Sequence, residues 1–177
     1  MINNKEFVVK FQINDEDGFI FIVNNQKYQS FVDEDWQFDP LMQHFIQQMN
    51  QQSLIIWQTN DSGGGGWNIE VIQEPYHDDN LTKFSHDIQV TNGQLFLSIY
   101  TDLTMAAQFE DERIPSKDNA DLIIPLTDGF YTITVCKLFT DDASGDDSST
   151  IHFRIFIESR LLERHAQIYQ ILWMQPY

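Results

Sequence analysis

The chain contains one cysteine, Cys136, among 177 residues, so no intramolecular disulfide can form and the fold must hold by packing alone. A single thiol also agrees with a reducing compartment. Positive charge is scarce: ten Lys and Arg stand against 27 Asp and Glu, a net charge of −17. Nucleic acid and anionic membranes carry the same sign, so neither is expected as a direct partner. Long apolar runs are missing too. No segment approaches the ~20 apolar residues that span a bilayer. The opening MINNKEFVVKF has no basic stretch followed by an uninterrupted apolar one, which predicts a cytoplasmic protein.

Chemical signatures are equally sparse. The five histidines, His44, His77, His86, His152 and His165, form no HExxH, and Cys136 has no second cysteine with which to hold zinc. Neither a metal nor a cofactor is expected, and no catalytic residue is assigned. Cys136 sits in YTITVCKLF, a strand pattern, where a buried thiol is the simpler reading than a nucleophile. His77 with Asp78 and Asp79 in PYHDD reads as a surface turn before it reads as an acid–base cluster.

What is abundant is β-forming apolar sequence. The composition is 42% hydrophobic and 14% aromatic, with fourteen phenylalanines, enough for one full core; one domain over residues 1–177 is expected. Val, Ile, Phe and Tyr alternate with polar residues in EFVVKFQI (6–13), GFIFIV (18–23), SLIIWQT (53–59), WNIEVI (67–72), HDIQV (86–90), QLFLSIYT (94–101), DLIIPL (121–126), FYTITVCKLF (130–139) and TIHFRIFIES (150–159). KYQSF (27–31) can extend the first pair as a meander, and the tail after residue 165 leans towards strand. One helix is predicted near residues 39–52, with Asp39 as N-cap, Pro40 at the first helical position and Leu41, Phe45 and Met49 on one stripe. The expected fold is therefore mainly β, an antiparallel β-sandwich of about nine strands with that one short helix.

Four consecutive glycines in NDSGGGGWNIEV raise the question of a phosphate cradle. A P-loop needs a lysine and a hydroxyl opening a helix, and a dinucleotide fingerprint needs glycines before a helix. Here a strand pattern follows, so the glycines predict a mobile hairpin tip, with the first pair of strands forming another hairpin around NDED. Trp57 and Trp67 flank the tip, either as core residues or as anchors that close over a partner.

The remaining charge is concentrated in the loops NDEDG, VDEDW, FEDERIPSKDN and DDASGDDSS. Three uses are open. Such loops can be merely solvated, they can bind calcium as in some sandwich modules, although no EF-hand spacing is present, or they can imitate a phosphate backbone and occupy a basic groove.

The stretch ADLIIPLTDGFYTITVCKLF (120–139), preceded by NGQLFLSIYTD and a long acidic connection, resembles small acidic bacterial β-sandwich immunity and nuclease-inhibitor proteins of the competence protein J type. The resemblance spans the C-terminal half; the N-terminal hairpins and the glycine run have no counterpart in it. It implies a cytosolic, non-enzymatic protein that inactivates a toxic enzyme by binding it. With the charge, it predicts an immunity-type inhibitor of a cationic toxin domain, a nuclease acting in the cytosol, and a basic protein as partner. Candidate contacts are Asp33, Glu34, Asp35 and Trp36, Asp61 and Trp67 around the glycine tip, and Asp141 and Asp142. The alternative is a calcium- or carbohydrate-binding sandwich module. Oligomeric state is not encoded in any of these features.

Overall fold

The structure, a computed structural model, describes residues 7–60, 63–77, 82–140, 150–164 and 166–174. Among them the alternating apolar segments form β1 (Val8–Asp15), β2 (Phe19–Val23), β3 (Leu54–Gln58), β4 (Gly65–Ile72), β5 (Thr82–Val90), β6 (Gln94–Ile99), β7 (Ile123–Pro125), β8 (Gly129–Lys137) and β9 (Phe153–Arg160). These nine strands make a five-stranded sheet, in the order β1-β4-β9-β8-β5, and a four-stranded sheet, β3-β2-β6-β7. The mainly β sandwich expected from the alternation is what forms, with one exception to its antiparallel character. Strands β4 and β9 pair in parallel, Ile69 opposite Phe153 through Ile72 opposite Phe156.

The helix α1 spans Phe38–Asn50 and buries Leu41, Phe45 and Met49, the predicted stripe, together with Met42 and Ile46. Its N-cap is Gln37, not Asp39. Asp39 lies instead in the first turn, where its charge complements the positive end of the helix. A second helix, α2 (Tyr100–Gln108), is an addition to the expected plan: the strand foreseen over 94–101 ends at Ile99 and the chain turns directly into it. Both helices pack against the four-stranded sheet, α1 at β3 and α2 at β2 and β6. Strand β2 is consequently buried at every position, as expected of a continuous apolar run covered on both faces.

Pairing departs from the sequence expectation at both hairpins. β1 pairs with β4, and β2 pairs with β3, so β1 and β2 belong to different sheets, as do β3 and β4. The two chain segments form one long antiparallel ribbon that passes from sheet to sheet at residues 15–18 on one side and, on the other, where Thr59, Asn60, Gly63 and Gly64 are described. Gly63 and Gly64 lie at that bend and Gly65 and Gly66 open β4, so the run is not a hairpin tip. Gly64 has φ +118, and a Cβ there would lie 2.3 Å from the Asp15 carbonyl oxygen. Gly18, at φ +84, is less tightly placed against the opposite crossing, where a Cβ on it would meet the Cα of Gly63 at 3.3 Å. Backbone packed on backbone in this way leaves room only for glycine.

KYQSF forms no strand; Tyr28 is buried there, its amide bonded to the Asn24 carbonyl in a turn. The C-terminal tail makes one isolated parallel bridge, Trp57 to Leu172, instead of a strand. It is held as a strap along the edge of β3. Asn50 donates to the Ile168 carbonyl at 3.0 Å and accepts its amide at 2.8 Å, and the Gln58 amide donates to the Leu172 carbonyl at 3.0 Å. Covering an edge strand this way blocks unwanted strand addition.

Candidate functional site

Two buried polar centres fix the frame. At the sheet-to-sheet bend, Asp15 is 4% exposed. Its Oδ1 accepts the amides of Asp17, Gly18 and Phe19 at 3.1, 2.9 and 3.2 Å, and its Oδ2 accepts the Thr59 hydroxyl at 2.8 Å and the Trp67 indole N–H at 3.4 Å. Burial pushes its carboxyl above the usual value, opposed by the Thr59 hydroxyl and the three amides. Asn60 completes the bend, accepting the Gly64 amide at 3.0 Å and donating to the Gly64 carbonyl at 3.1 Å. Every acceptor position of Asp15 serves the fold, which removes DEDG as a ready cation loop. No group of three or more His, Cys, Asp or Glu side chains that could hold a metal occurs among the described residues.

On the opposite side of the five-stranded sheet, Asp87 is buried against a fork from Arg164, with Nε at 2.8 Å and Nη2 at 3.0 Å, and it accepts the Thr132 hydroxyl at 2.6 Å. Burial alone would raise this carboxyl, but the Arg164 and Thr132 hydrogen bonds hold it below the usual range. The neighbouring His86 is pulled down by burial, and its Nε2 meets the Met49 carbonyl at 2.8 Å. These groups are matched to each other and anchor the start of the C-terminal strap.

The exposed acidic loops are arranged differently. The amides of Val32 and Asp33 both donate to the Ala107 carbonyl, at 2.9 and 3.1 Å, which ties the loop before α1 to the last turn of α2. The loop carrying Asp33, Glu34 and Asp35 is thereby joined to the end of α2, from which the chain runs on into Glu110, Asp111 and Glu112, and all six carboxylates are exposed. Around the same junction lie Phe31, Met105 and Phe109, 39%, 41% and 42% exposed. These are three of the seven large apolar side chains that are exposed among the described residues. Trp36 is half-buried against the core at the edge of this face, and its amide donates to the Asp33 carbonyl at 3.2 Å. A face with an apolar centre and a rim of one charge has the anatomy of a protein-binding surface.

Of the residues singled out in the sequence, Asp33, Glu34, Asp35 and Trp36 fall together on this face. Asp61, Asp141 and Asp142 lie outside the described residues, as do Asp78 and Asp79. Trp67 is a correction: it is 1% exposed, stacked on Phe139 at 4.9 Å and bonded to Asp15, so its ring belongs to the core and offers no contact to a partner. Its phase had been visible, since Trp67, Ile69 and Val71 alternate on one face of β4. Trp57 is buried as well, while Trp36 and Trp173 are half-buried. Cys136 is buried, as expected. Sequence reading missed α2 and with it Met105, although Leu103, Ala106 and Ala107 carry the helical spacing.

This fold has relatives among solved structures. The product described as crocagin biosynthetic gene J superposes with a TM-score of 0.57 at 10% identity, covering 87% of this chain and 97% of its own. ComJ from Bacillus subtilis, described as an inhibitor of the DNA-degrading activity of NucA, superposes with a TM-score of 0.48 at 12% identity, covering 88% of this chain and 98% of its own. At such identities the likeness concerns the fold. No family model matches the chain, and no match to a curated protein is found.

Proposed function

We propose that this chain is an immunity-type inhibitor, without enzymatic activity, that acts in the cytosol as a single domain and neutralises a cationic toxin domain, a nuclease, by covering its basic groove. The observation that carries this reading is the junction at Ala107, which joins two distant segments that bear six exposed carboxylates and the exposed Phe31, Met105 and Phe109. A nuclease binds phosphates with a cationic groove, and a carboxylate row can take the place of those phosphates. The acidic rim accelerates encounter, while the apolar centre, once desolvated, sets the lifetime of the complex. The net charge of −17 gives the whole molecule the sign needed for steering. The sequence resemblance to competence protein J-like inhibitors implies the same class of action.

The reading is tested by affinity isolation from the native organism with tagged protein at low salt, followed by a salt titration of what is retained. The expected outcome is a single basic polypeptide with DNA- or RNA-cleaving activity, bound with a dissociation constant near ~1 nM and released as salt rises. Retention of acidic or neutral polypeptides only would contradict it.

A further inference from the structure

Beside the acidic face, and independent of the inhibitor reading, lies a cavity of about 410 Å³ between the loop after β2, the β6–β7 edge and the loop after α2. Its walls are mainly apolar, from Phe96, Ile114 and Ile123, with Tyr28 and Ser30 at one side and Arg113 at the other. Size and lining match those of small-ligand sites, which are apolar bodies with a few placed polar groups.

Arg113 is the only charged residue in the lining, on a chain with ten basic residues in all. Its Nη1 is spent within its own loop, donating to the carbonyls of Glu110 at 2.9 Å and Glu112 at 3.1 Å. That leaves Nε and Nη2 without a protein partner among the described residues, on an exposed guanidinium at the rim of the cavity. A fork of two N–H groups fits a carboxylate in a bidentate way. Tyr28 is 7% exposed, and its buried hydroxyl also lacks a partner in the same wall.

We infer that this cavity binds a small monocarboxylate with a short apolar body, its carboxylate on Arg113 and its body against Phe96, Ile114 and Ile123. The class follows from charge and volume together. One guanidinium balances one negative charge, and the neighbouring Glu110, Asp111 and Glu112 repel anything more highly charged. A cavity of this size accommodates a chain of a few carbons or one ring.

The test is a two-dimensional amide NMR titration of the full chain with hexanoate and phenylacetate, alongside hexanamide, phenylacetamide and inorganic phosphate. The expected result is saturable shifts confined to residues around 28–30, 96, 113–115 and 120–123 for the carboxylates, at least about tenfold weaker binding of the amides, and none of phosphate. Arg113→Gln should weaken the carboxylates by about the same tenfold and leave the amides unchanged. Ala120→Trp, at an exposed position on the cavity wall, should block all of them with Arg113 intact. Equal binding of acids and amides, tighter binding of phosphate, or no saturable shift at ~20 mM would each overturn the inference, 20 mM being far above the range expected of a true pocket.

Discussion

Replacing Asp15 with alanine should destabilise the protein by about 4 kcal/mol, because one carboxylate holds the whole sheet-to-sheet bend. Its loss strips an acceptor from the buried amides of Gly18 and Phe19, from the half-buried amide of Asp17 and from the indole N–H of Trp67. The Thr59 hydroxyl can rotate to another acceptor; the N–H groups cannot. Each buried donor left without a partner costs about 1–3 kcal/mol. Removing a desolvated carboxyl returns part of that, which gives the net of about 4. For a chain of this size, each kcal/mol moves the melting temperature by about 2–4 °C, so the shift should be about 8–16 °C. Asp15→Asn keeps Oδ1 for the three amides but turns an N–H₂ towards the Trp67 indole, and should cost about 1–2 kcal/mol. Urea and thermal unfolding followed by tryptophan emission measure both, and Trp67 reports locally. A melting temperature for Asp15→Ala within about 2 °C of wild type would refute the reasoning, since that is less than 1 kcal/mol.

The glycine bend makes a sharper contrast: Gly64→Ala should cost about 3 kcal/mol or more, because its Cβ would collide with the Asp15 carbonyl, whereas Gly63→Ala, at φ +83 with nothing within 4 Å, should cost only about 1–2 kcal/mol, and chemical denaturation of the pair distinguishes a packed bend from a loose tip. Arg164→Gln should cost about 2 kcal/mol at neutral pH by leaving the buried Asp87 with only the Thr132 hydroxyl and the more distant Arg160 charge, a figure below that of fully buried pairs because Arg164 is half-exposed. Since the folded Asp87 carboxyl is depressed, its contribution is present above the unfolded value of 3.8 and is lost as pH falls through the folded value; the gap between wild type and Arg164→Gln should therefore narrow in melts run below about pH 4. His86 and His44 are both lowered by burial, so wild-type stability should also decline as pH falls below the unfolded value of 6.5, a slope that a His86→Gln variant reduces.

Strand identity was written in the sequence, because alternation of Val, Ile and Phe is a local property. Pairing was not. Whether β1 turns back on β2 or bends into another sheet depends on what Asp15 and Gly64 do across the bend, and those residues meet only once the ribbon has formed. Helix α2 was masked because the alternation of QLFLSI runs without punctuation into Tyr100, with neither a proline nor a side-chain N-cap to mark the start. Exposure of Asp33, Glu34, Asp35 and the 110–112 run could be foreseen from charge alone. Their meeting could not, since it rests on two backbone hydrogen bonds to Ala107 that no side-chain pattern announces. Trp67 was the opposite case: its burial was readable from the phase of β4, and proximity to the glycines suggested a surface role that its packing excludes.

If a nuclease is silenced as proposed, the exposed carboxylates of the two segments joined at Ala107 are what inhibition needs. The most direct measurement is the cleavage rate of the retained basic polypeptide as the protein is titrated in, with wild type compared against a variant carrying Asp33→Asn, Glu34→Gln, Asp35→Asn, Glu110→Gln, Asp111→Asn and Glu112→Gln. All six side chains are exposed, so the variant should melt within about 2 °C of wild type. Wild type should suppress cleavage fully at stoichiometric amounts, and the variant should associate about 10–100-fold more slowly, with a weaker salt dependence than wild type. Equal suppression and equal association rates for the two proteins would contradict it.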